Sequence, residues 1–319
     1  MTIDWVTVGN PENAAQSSVN RAHGTTGGDG YGAVSYSYKI GKYEVTNDQY
    51  TVFLNAVDPG GSNPNGIYNS SMGTMFRGGI SYNPGAANGA KYTVRSNMGN
   101  KPVFYVSWYD AARFTNWLHN GQGGGSTETG AYTLNNNTGL PTRNSGAQVW
   151  LPSENEWYKA AYYDPTKGVS GGYWLYATQS DTVPTVATAN TTTGDVSNAA
   201  ANVANYNYGA VWNNQTGHVT TVGSAGANNY YGTFDMGGNV WEWSDAVIDG
   251  TWRRLRGGSW ESLNETSLRS AATSTMDPTM ESDDYGFRVA SLAEASVPEP
   301  SGMVLVMLLS TGLVCSRRR

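Results

Sequence analysis

Long polar segments dominate this chain and limit the kind of fold it can form. Residues 58–101, 120–148 and 177–205 are rich in Gly, Asn, Ser and Thr and contain few side chains able to build a core. The chain has 40 Gly, and only 14% of its residues are charged, a balance that favours loops and short strands over long surface helices. We therefore expect a loop-rich α+β globule with short elements.

Three helix starts are predicted from capping boxes, in which a hydroxyl and a side chain three residues later satisfy free backbone donors. The pairs are Thr46 with Gln49, Ser107 with Asp110, and Ser153 with Glu156. Apolar residues at helical spacing follow the first pair and form one face: Tyr50, Phe53, Leu54 and Val57. Each pattern predicts a short amphipathic helix that packs on another element.

Four segments are expected to form strands, because they alternate or are rich in β-branched and aromatic residues. They are residues 34–45, 103–106, 253–255 and 287–289. Helices and strands are interleaved, which is typical of an α+β fold. We find no fixed-period repeat and no linker before about residue 294, so residues 1–293 are predicted to be one domain.

Side-chain counts exclude several classes of function. The only cysteine, Cys315, lies in the C-terminal apolar tail, so the body can hold neither a disulfide framework nor a cysteine metal site. His23, His119 and His218 are far apart and lack metal-ligand spacing. The net charge is -6 and no basic stripe is present, so we expect no nucleic-acid partner.

Residues 294–319 have the layout of a sorting signal. Pro298, Glu299 and Pro300 precede an apolar run at residues 302–315, and three arginines end the chain. The run is shorter than the ~20 residues that span a bilayer, and the arginines would keep its end cytoplasmic. It resembles the PEP-CTERM signal that an exosortase processes in Gram-negative bacteria. We therefore expect export, transient membrane contact through the tail, and a final location in the envelope, matrix or surface.

The first residues show no export signal. Residues 1–6 are not basic, and no apolar segment of signal-peptide type follows them. Our hypothesis is that the gene start was assigned late and that a signal peptide is encoded upstream. An upstream reading frame encoding only polar residues would count against it, and export is inferred from the tail alone.

Six motifs occur in an order that resembles one enzyme family. They are GKYEVTN (41–47), PVFYVSWYDA (102–111), WLPSENEW (150–157), DMGGNVWEW (235–243), RGGSW (256–260) and GFR (286–288). Together they resemble the formylglycine-generating enzyme, or sulfatase-modifying factor, family over residues 3–290. The resemblance implies one compact domain related to the C-type lectin fold, with a binding cleft on one face.

The resemblance also implies that the family's chemistry is lost. Active members oxidise a sulfatase cysteine to formylglycine with two cysteines that follow the RGGS motif and bind copper as thiolates. The matching positions hold Ser262 and Ser267. A hydroxyl has a much higher pKa than a thiol and neither binds Cu(I) usefully nor exchanges disulfides. We therefore expect no copper and no catalytic residue of the family type.

A calcium site is the second property that the resemblance implies. Family members bind calcium through a segment whose matching positions here are Asp235, Gly238, Val240 and Glu242. Hard calcium prefers oxygen ligands, and glycine allows the tight turn that points carbonyls inward. A second calcium would use Asn205 and the carbonyl of Tyr206, although that site's aspartate has no clear match at residues 215–217.

Two function classes remain open at this point. The first is a non-catalytic binding or structural module at the cell surface, with a glycan or a surface protein as ligand because aromatic faces and amides suit sugars. The second is an enzyme, either a formylglycine-generating homologue or one with other chemistry in the same cleft. That enzyme would use Ser262 or Ser267 as nucleophile, or Glu261 and Glu265 as acid and base, but nothing in the sequence places a base beside either serine.

Overall fold

The computed structural model describes residues 1–16, 30–226 and 228–293. Its α-helices are α1 (Asn47–Val57), α2 (Ser71–Thr74), α3 (Trp108–His119) and α4 (Glu154–Tyr162). All three predicted capping boxes form, because each cap hydroxyl and each N3 side chain accepts its partner's backbone N–H. In these ranges no helix has the length and apolar character needed to cross a membrane.

Two four-stranded sheets organise the described part of the chain. In one, β1 (Trp5–Val8) pairs with β2 (Tyr38–Gly41), β2 with the last strand, β14 (Ala290–Leu292), and that strand with β5 (Val149–Trp150). In the other, the order is β12 (Ser274–Met276), β11 (Trp252–Arg256), β10 (Trp241–Ile248) and β13 (Tyr285–Gly286), with β10 and β13 parallel. Both sheets therefore contain strands from the end of the described chain.

The remaining elements are small. Three two-stranded ladders pair β3 (Ile80–Tyr82) with β4 (Tyr92–Val94), β6 (Tyr163–Asp164) with β7 (Gly172–Tyr173), and β8 (Thr185–Val186) with β9 (Val203–Ala204). A 3₁₀ helix covers Glu265–Leu268. The predicted loop-rich α+β fold with short elements is confirmed.

The strand predictions were partly wrong. The segment 253–255 lies inside β11, but only Tyr38–Gly41 of the segment 34–45 is regular strand. Residues 103–106 form no strand, because Tyr105 adopts φ 58° and donates its N–H to Ser282 O at 2.8 Å. Residues 287–289 connect β13 to β14, and there the Arg288 guanidinium binds a buried carboxylate.

An aromatic core joins the first long helices to the C-terminal strands. Phe53 of α1 meets Phe114 of α3 with ring centroids 5.4 Å apart, and Phe114 meets Phe287 at the same separation. All three rings are buried. Such pairs contribute about 0.5–1.5 kcal/mol each beyond their area burial. This packing fixes the chain immediately before Arg288.

The polar segment 177–205 is folded onto the body. It contains β8 and β9 and contributes Ala187, Val196 and Val203 to a small buried cluster, which the sequence did not predict. Lys101 Nζ donates to Thr193 O at 2.8 Å across this junction. The segment thereby carries Asn205 to a fixed place beside β10.

Candidate cation site and binding cleft

The segment predicted to bind calcium is a tight turn that leads into β10. Asp235 and Gly238 have left-handed backbones, with φ 55° and 90°. A Cβ on Gly238 would lie 2.4 Å from the backbone oxygen of Asn205, so a larger residue cannot fit there. Gly238 N–H donates to Gly257 O at 2.9 Å, and Asn239 N–H donates to Asn205 O at 2.8 Å. The structure therefore brings Asn205 against the predicted calcium segment.

Both oxygens of Glu242 are already hydrogen-bonded. Oε2 accepts from Arg288 Nε at 2.6 Å and from Trp157 Nε1 at 2.7 Å, and Oε1 accepts from Arg288 Nη2 at 2.7 Å. All three side chains are buried. This bidentate pair neutralises the carboxylate charge. A calcium ion would have to share Glu242 with Arg288.

Glu44 and Arg288 were not predicted as site residues, although both lie in the quoted motifs. Glu44 is buried, and its Oε1 accepts from Asn239 Nδ2 at 3.1 Å. Its Oε2 has no hydrogen-bond partner in the described chain and lies 4.0 Å from Arg288 Nη2. The sequence did offer one signal for Glu44, because a glutamate within a segment of strand-like apolar pattern indicates a buried charge that needs a partner.

The carboxyl groups around Arg288 carry more negative charge than one guanidinium can balance. Burial, followed by the charge of Asp235, raises the pKa of Glu44 well above its usual range. Burial raises the pKa of Asp235 to about 6. Together with the charge of Glu242 nearby, burial therefore favours the protonated forms of Glu44 and Asp235.

The backbone part of the turn suits calcium better than the side chains do. The carbonyls of Gly238 and Val240 accept no hydrogen bond within the described ranges. Asp235 Oδ2 accepts from Gly223 N at 2.5 Å. Nowhere in the described ranges do three or more His, Cys, Asp or Glu side chains form a group that could hold a metal ion. A cation here would therefore depend on the carbonyls and Asp235, because calcium accepts backbone oxygens.

The residues predicted for a second calcium are only partly free. Asn205 Nδ2 donates to His218 O at 2.8 Å, and its buried Oδ1 lacks a partner among the described residues. The Tyr206 carbonyl accepts from Gly209 N at 3.1 Å. Burial lowers the pKa of His218 to about 3, so its ring is neutral. One uncommitted side-chain oxygen is therefore present at this position.

A double-glycine turn connects the cation site to the cleft. After β11, Gly257 and Gly258 adopt φ 98° and 78°. A Cβ on Gly258 would lie 3.0 Å from Leu268 Cδ1 and 3.1 Å from Ser267 O. The turn is closed by Ser259 N–H, which donates to Ser262 Oγ at 3.0 Å. It places Ser262, one of the two predicted replacements for cysteine, beside the segment that carries Tyr208, because Asn207 N–H donates to Ser262 O and Tyr208 N–H donates to Trp260 O, both at 2.9 Å.

Trp260, Arg77 and Tyr208 form a cluster at the position where the family resemblance predicts the cleft. The Trp260 indole is buried and donates through Nε1 to Asp283 O at 3.2 Å. The Arg77 guanidinium lies 4.6 Å from the centre of the Trp260 ring. The Tyr208 ring packs edge-on against the same indole, with ring centroids 5.4 Å apart. Arg77 also donates to the carbonyls of residues 216 and 217, so its position is fixed.

Acidic groups and phenols surround Arg77. Asp284 Oδ2 accepts from Ser259 Oγ at 2.9 Å, and burial raises the pKa of Asp284. Burial and the neighbouring charges of Asp284 and Asp283 also raise the pKa of Glu261. The pKa of Tyr105 rises to about 12 for the same reasons, burial first and then Asp283. At neutral pH the cleft therefore offers phenol donors, carboxyl acceptors and one fixed cation.

Neither serine has the surroundings of a nucleophile. Ser262 Oγ accepts the Ser259 N–H, and Ser267 lies in the 3₁₀ helix Glu265–Leu268. Neither hydroxyl is hydrogen-bonded to a histidine, lysine or carboxylate in the part of the chain that the structure describes. Glu265 forms a 2.8 Å ion pair with Arg269, which leaves it poorly suited as a general base. The sorting motif Pro298, Glu299 and Pro300 lies outside the described residues.

Comparison with known proteins is consistent with the predicted family. A family model described as a sulfatase-modifying factor enzyme 1-like domain matches residues 31–293. A curated relative, inactive C-alpha-formylglycine-generating enzyme 2 of Bos taurus, is 39% identical over 80 residues, which are 23% of this chain. The match spans only 27% of that relative's length.

A solved structure shows the same fold. Treponema denticola variable protein 1 is similar with a TM-score of 0.50 at 18% identity, over 91% of this chain and 95% of that chain. CarF is similar with a TM-score of 0.47 at 19% identity, over 92% of this chain and 99% of that chain. The C-type-lectin-like fold expected from the motifs is confirmed.

Proposed function

The chain belongs to the sulfatase-modifying factor enzyme 1-like family, and we propose that it is a non-catalytic binding module exported to the cell surface. The observation that carries the proposal is the group of residues around Ser262, at the predicted position of the cleft. Arg77 and Tyr208 pack on Trp260, yet Ser262 stands where the family resemblance places a thiolate. Such a site can bind but cannot perform copper–thiolate oxidation.

Two further observations support a non-catalytic role. The two serines lack a hydrogen-bonded base in the described chain, so serine nucleophilic chemistry has no general base either. A relative that matches part of this chain is itself named an inactive enzyme. A binding role accounts for a retained fold without retained chemistry.

The ligand that suits the cleft is a glycan or another surface protein. Tyr208 and Tyr105 offer aromatic faces and neutral phenols, while Glu261 and Arg77 offer an acceptor and a fixed donor. Apolar sugar faces stack on such rings, and hydroxyls bond to such acceptors. Binding would be oriented by the polar groups and strengthened by the rings.

Calcium would stabilise the turn beneath this cleft. The proposed ligands are Asp235, the carbonyls of Gly238 and Val240, and a shared oxygen of Glu242. The link to the cleft is direct, because Gly238 N–H donates to Gly257 O of the double-glycine turn. A cation would also neutralise the excess carboxylate charge around Arg288.

Delivery would depend on the C-terminal tail. We propose that the motif at residues 298–300 is recognised by an exosortase-type enzyme after transient insertion of the apolar run. Replacing all three residues with Ala should leave the protein unprocessed in the membrane fraction. An unchanged distribution between membrane, surface and medium would contradict this part of the proposal.

Metal uptake is tested by titrating the purified chain with calcium and with Cu(I) while following thermal stability and bound metal. We expect calcium to stabilise by about 2–3 kcal/mol at a hundredfold excess over its dissociation constant. Asp235→Asn should abolish that effect, whereas the exposed control Asp249→Asn should retain it. Stoichiometric copper binding would contradict a non-catalytic module.

Ligand binding is tested on a glycan array and by capture of envelope proteins. Tyr208→Ala should lose any binding at the cluster of Trp260, Arg77 and Tyr208, because it removes a ring that packs on Trp260. Tyr230→Ala is the matched control, since Tyr230 is 42% exposed and contacts Tyr231 away from the cleft. A flat array excludes a glycan ligand, and binding that is indifferent to Tyr208→Ala would place the ligand elsewhere.

A further inference from the structure

A cavity of about 860 Å³ lies beside the hairpin formed by β6 and β7, and we call it the hairpin cavity. Tyr163 of β6 and Tyr173 of β7 pair in this hairpin, and both line the cavity. The rest of the described lining comes from residues 14–16, from the loop of the hairpin, and from Leu175, Asp181 and Ser270. The lining shares no described residue with the cluster of Trp260, Arg77 and Tyr208. Pockets for small organic ligands have volumes of about 300–1,000 Å³, so the hairpin cavity is large enough to hold one.

Two tyrosine rings form the apolar part of the lining. The ring centroids of Tyr163 and Tyr173 lie 5.1 Å apart, and the ring planes are inclined by 59°. The Tyr173 hydroxyl donates to Ala14 O at 2.8 Å and accepts from Asn13 Nδ2 at the same distance. The Tyr173 ring is therefore held in place by the protein. A ligand that packs against it costs little side-chain entropy, because the side chain is already ordered.

An ion pair forms the polar part of the lining. Lys167 Nζ donates to both carboxylate oxygens of Asp181 at 2.8 Å and to Tyr173 O at 2.9 Å. Asp181 Oδ1 also accepts the Leu175 N–H at 2.9 Å, so the carboxylate is fixed. The Asp181 side chain is 56% exposed, which leaves its oxygens accessible to a further donor. Lys167 and Asp181 are the charged residues of the described lining, and their charges balance.

Glycines in the hairpin loop shape the cavity. Gly168 and Gly171 have left-handed backbones, with φ 74° and 81°. A Cβ on Gly171 would lie 2.6 Å from the Tyr163 hydroxyl oxygen, so only glycine fits where the loop passes this ring. Between the two glycines, Ser170 lines the cavity, whereas Val169 is fully exposed and is not part of the described lining. Neighbouring loop positions therefore face the cavity and the solvent.

We propose that the hairpin cavity is a second binding site of this protein and that its ligand is a neutral oligosaccharide. Because Lys167 and Asp181 balance each other, a charged ligand would have to break their pair, whereas a hydroxyl can donate to Asp181 without doing so. The apolar face of a sugar packs on rings such as that of Tyr173. The proposal does not depend on binding at the cluster of Trp260, Arg77 and Tyr208. Two sites on one module would let it hold a polymeric glycan with greater avidity than either site alone.

Isothermal titration calorimetry of the full chain tests the site with neutral and charged trisaccharides. The neutral probes are cellotriose and triacetylchitotriose, and the charged probes are the cationic glucosamine trimer and anionic trigalacturonate. We expect a neutral probe to bind more tightly than either charged one. Ser170→Trp should weaken that binding by about tenfold or more, because the indole occupies the volume that the ligand needs. Val169→Trp adds the same ring at the neighbouring, solvent-exposed position and should bind as the wild type does.

A change of charge tests the role of the ion pair. Asp181→Asn keeps the size of the side chain but leaves the Lys167 ammonium without its counter-charge. The affinity for trigalacturonate, relative to that for the neutral probe, should therefore rise by about tenfold at low ionic strength. An unchanged ratio of the two affinities would overturn the proposal, because the pair would then not face the ligand.

The remaining outcomes separate this site from the proposed function. Binding of none of the four probes, or tighter binding of a charged probe by the wild type, would overturn the proposal. So would equal affinities of Ser170→Trp and Val169→Trp, whose folding is checked by circular dichroism. Binding that is lost in Tyr208→Ala and kept in Ser170→Trp would assign the sugar to the cluster of Trp260, Arg77 and Tyr208. That result would support the proposed function while overturning this inference.

Discussion

Removing Arg288 should destabilise the fold more than removing the charge of its partner Glu242. Arg288→Met leaves Glu242, Glu44 and Asp235 as buried or partly buried carboxyls without their cation. Breaking a buried ion pair from one side costs about 3–5 kcal/mol, and the upper end applies here. Glu242→Gln is milder, because Glu44 Oε2 lies 4.0 Å from Arg288 and can ionise in its place. We expect Glu242→Gln to lower the free energy of unfolding by about 2–3 kcal/mol.

Urea unfolding in EDTA, followed by circular dichroism, measures both costs without any contribution from calcium. Burial raises the pKa of Asp235 to about 6 and also raises the pKa of Glu44. Acid therefore protonates these two carboxyl groups, which in Arg288→Met have lost their neighbouring cation. The penalty of Arg288→Met should therefore shrink between about pH 7 and pH 5. Arg269→Met, which breaks a partly exposed pair, should cost less than about 1 kcal/mol. A smaller loss for Arg288→Met than for Glu242→Gln, or one that grows in acid, would refute the reasoning.

Two further variants test local features of the fold by the same unfolding assay. Lys159→Met should stabilise the protein by about 1–2 kcal/mol at pH 7, because burial lowers the pKa of Lys159 to about 8 and its ammonium donates to the neutral carbonyl of Asn10 at 2.8 Å. The gain in stability should vanish towards pH 10, and a loss of stability at pH 7 would contradict the prediction. Gly238→Ala should lower the free energy of unfolding by more than about 3 kcal/mol, because the added Cβ would clash with the Asn205 backbone. Gly66→Ala, at φ 69° with open space around it, should lower it by about 1 kcal/mol. Equal losses in the two variants would show that the contact with Asn205 does not matter.

Local chemistry explains what the sequence predicted well. Each capping box depends on residues three apart, so Ser107 and Asp110 or Ser153 and Glu156 specify a helix start without long-range information. The tight turn at Asp235 to Gly238 was likewise predictable from its glycines. The fold itself was predicted from six motifs that occur in a fixed order, because no single motif is specific enough to indicate a family.

Long-range contacts explain what was missed. Tyr105 leaves the strand conformation because its N–H bonds Ser282, which is far away in the chain. The ion pair of Glu242 with Arg288, and the proximity of Glu44, join three separate motifs.

The central claim, a family cleft that binds without oxidising, is tested most directly by an assay for aldehyde formation. The full chain is incubated with Cu(I), oxygen and a cysteine-containing sulfatase peptide, and the peptide is analysed by mass spectrometry. We predict no conversion of cysteine to formylglycine, because hydroxyls at residues 262 and 267 cannot bind Cu(I) as thiolates do. Turnover of the peptide to the aldehyde would contradict the account and identify the protein as an enzyme.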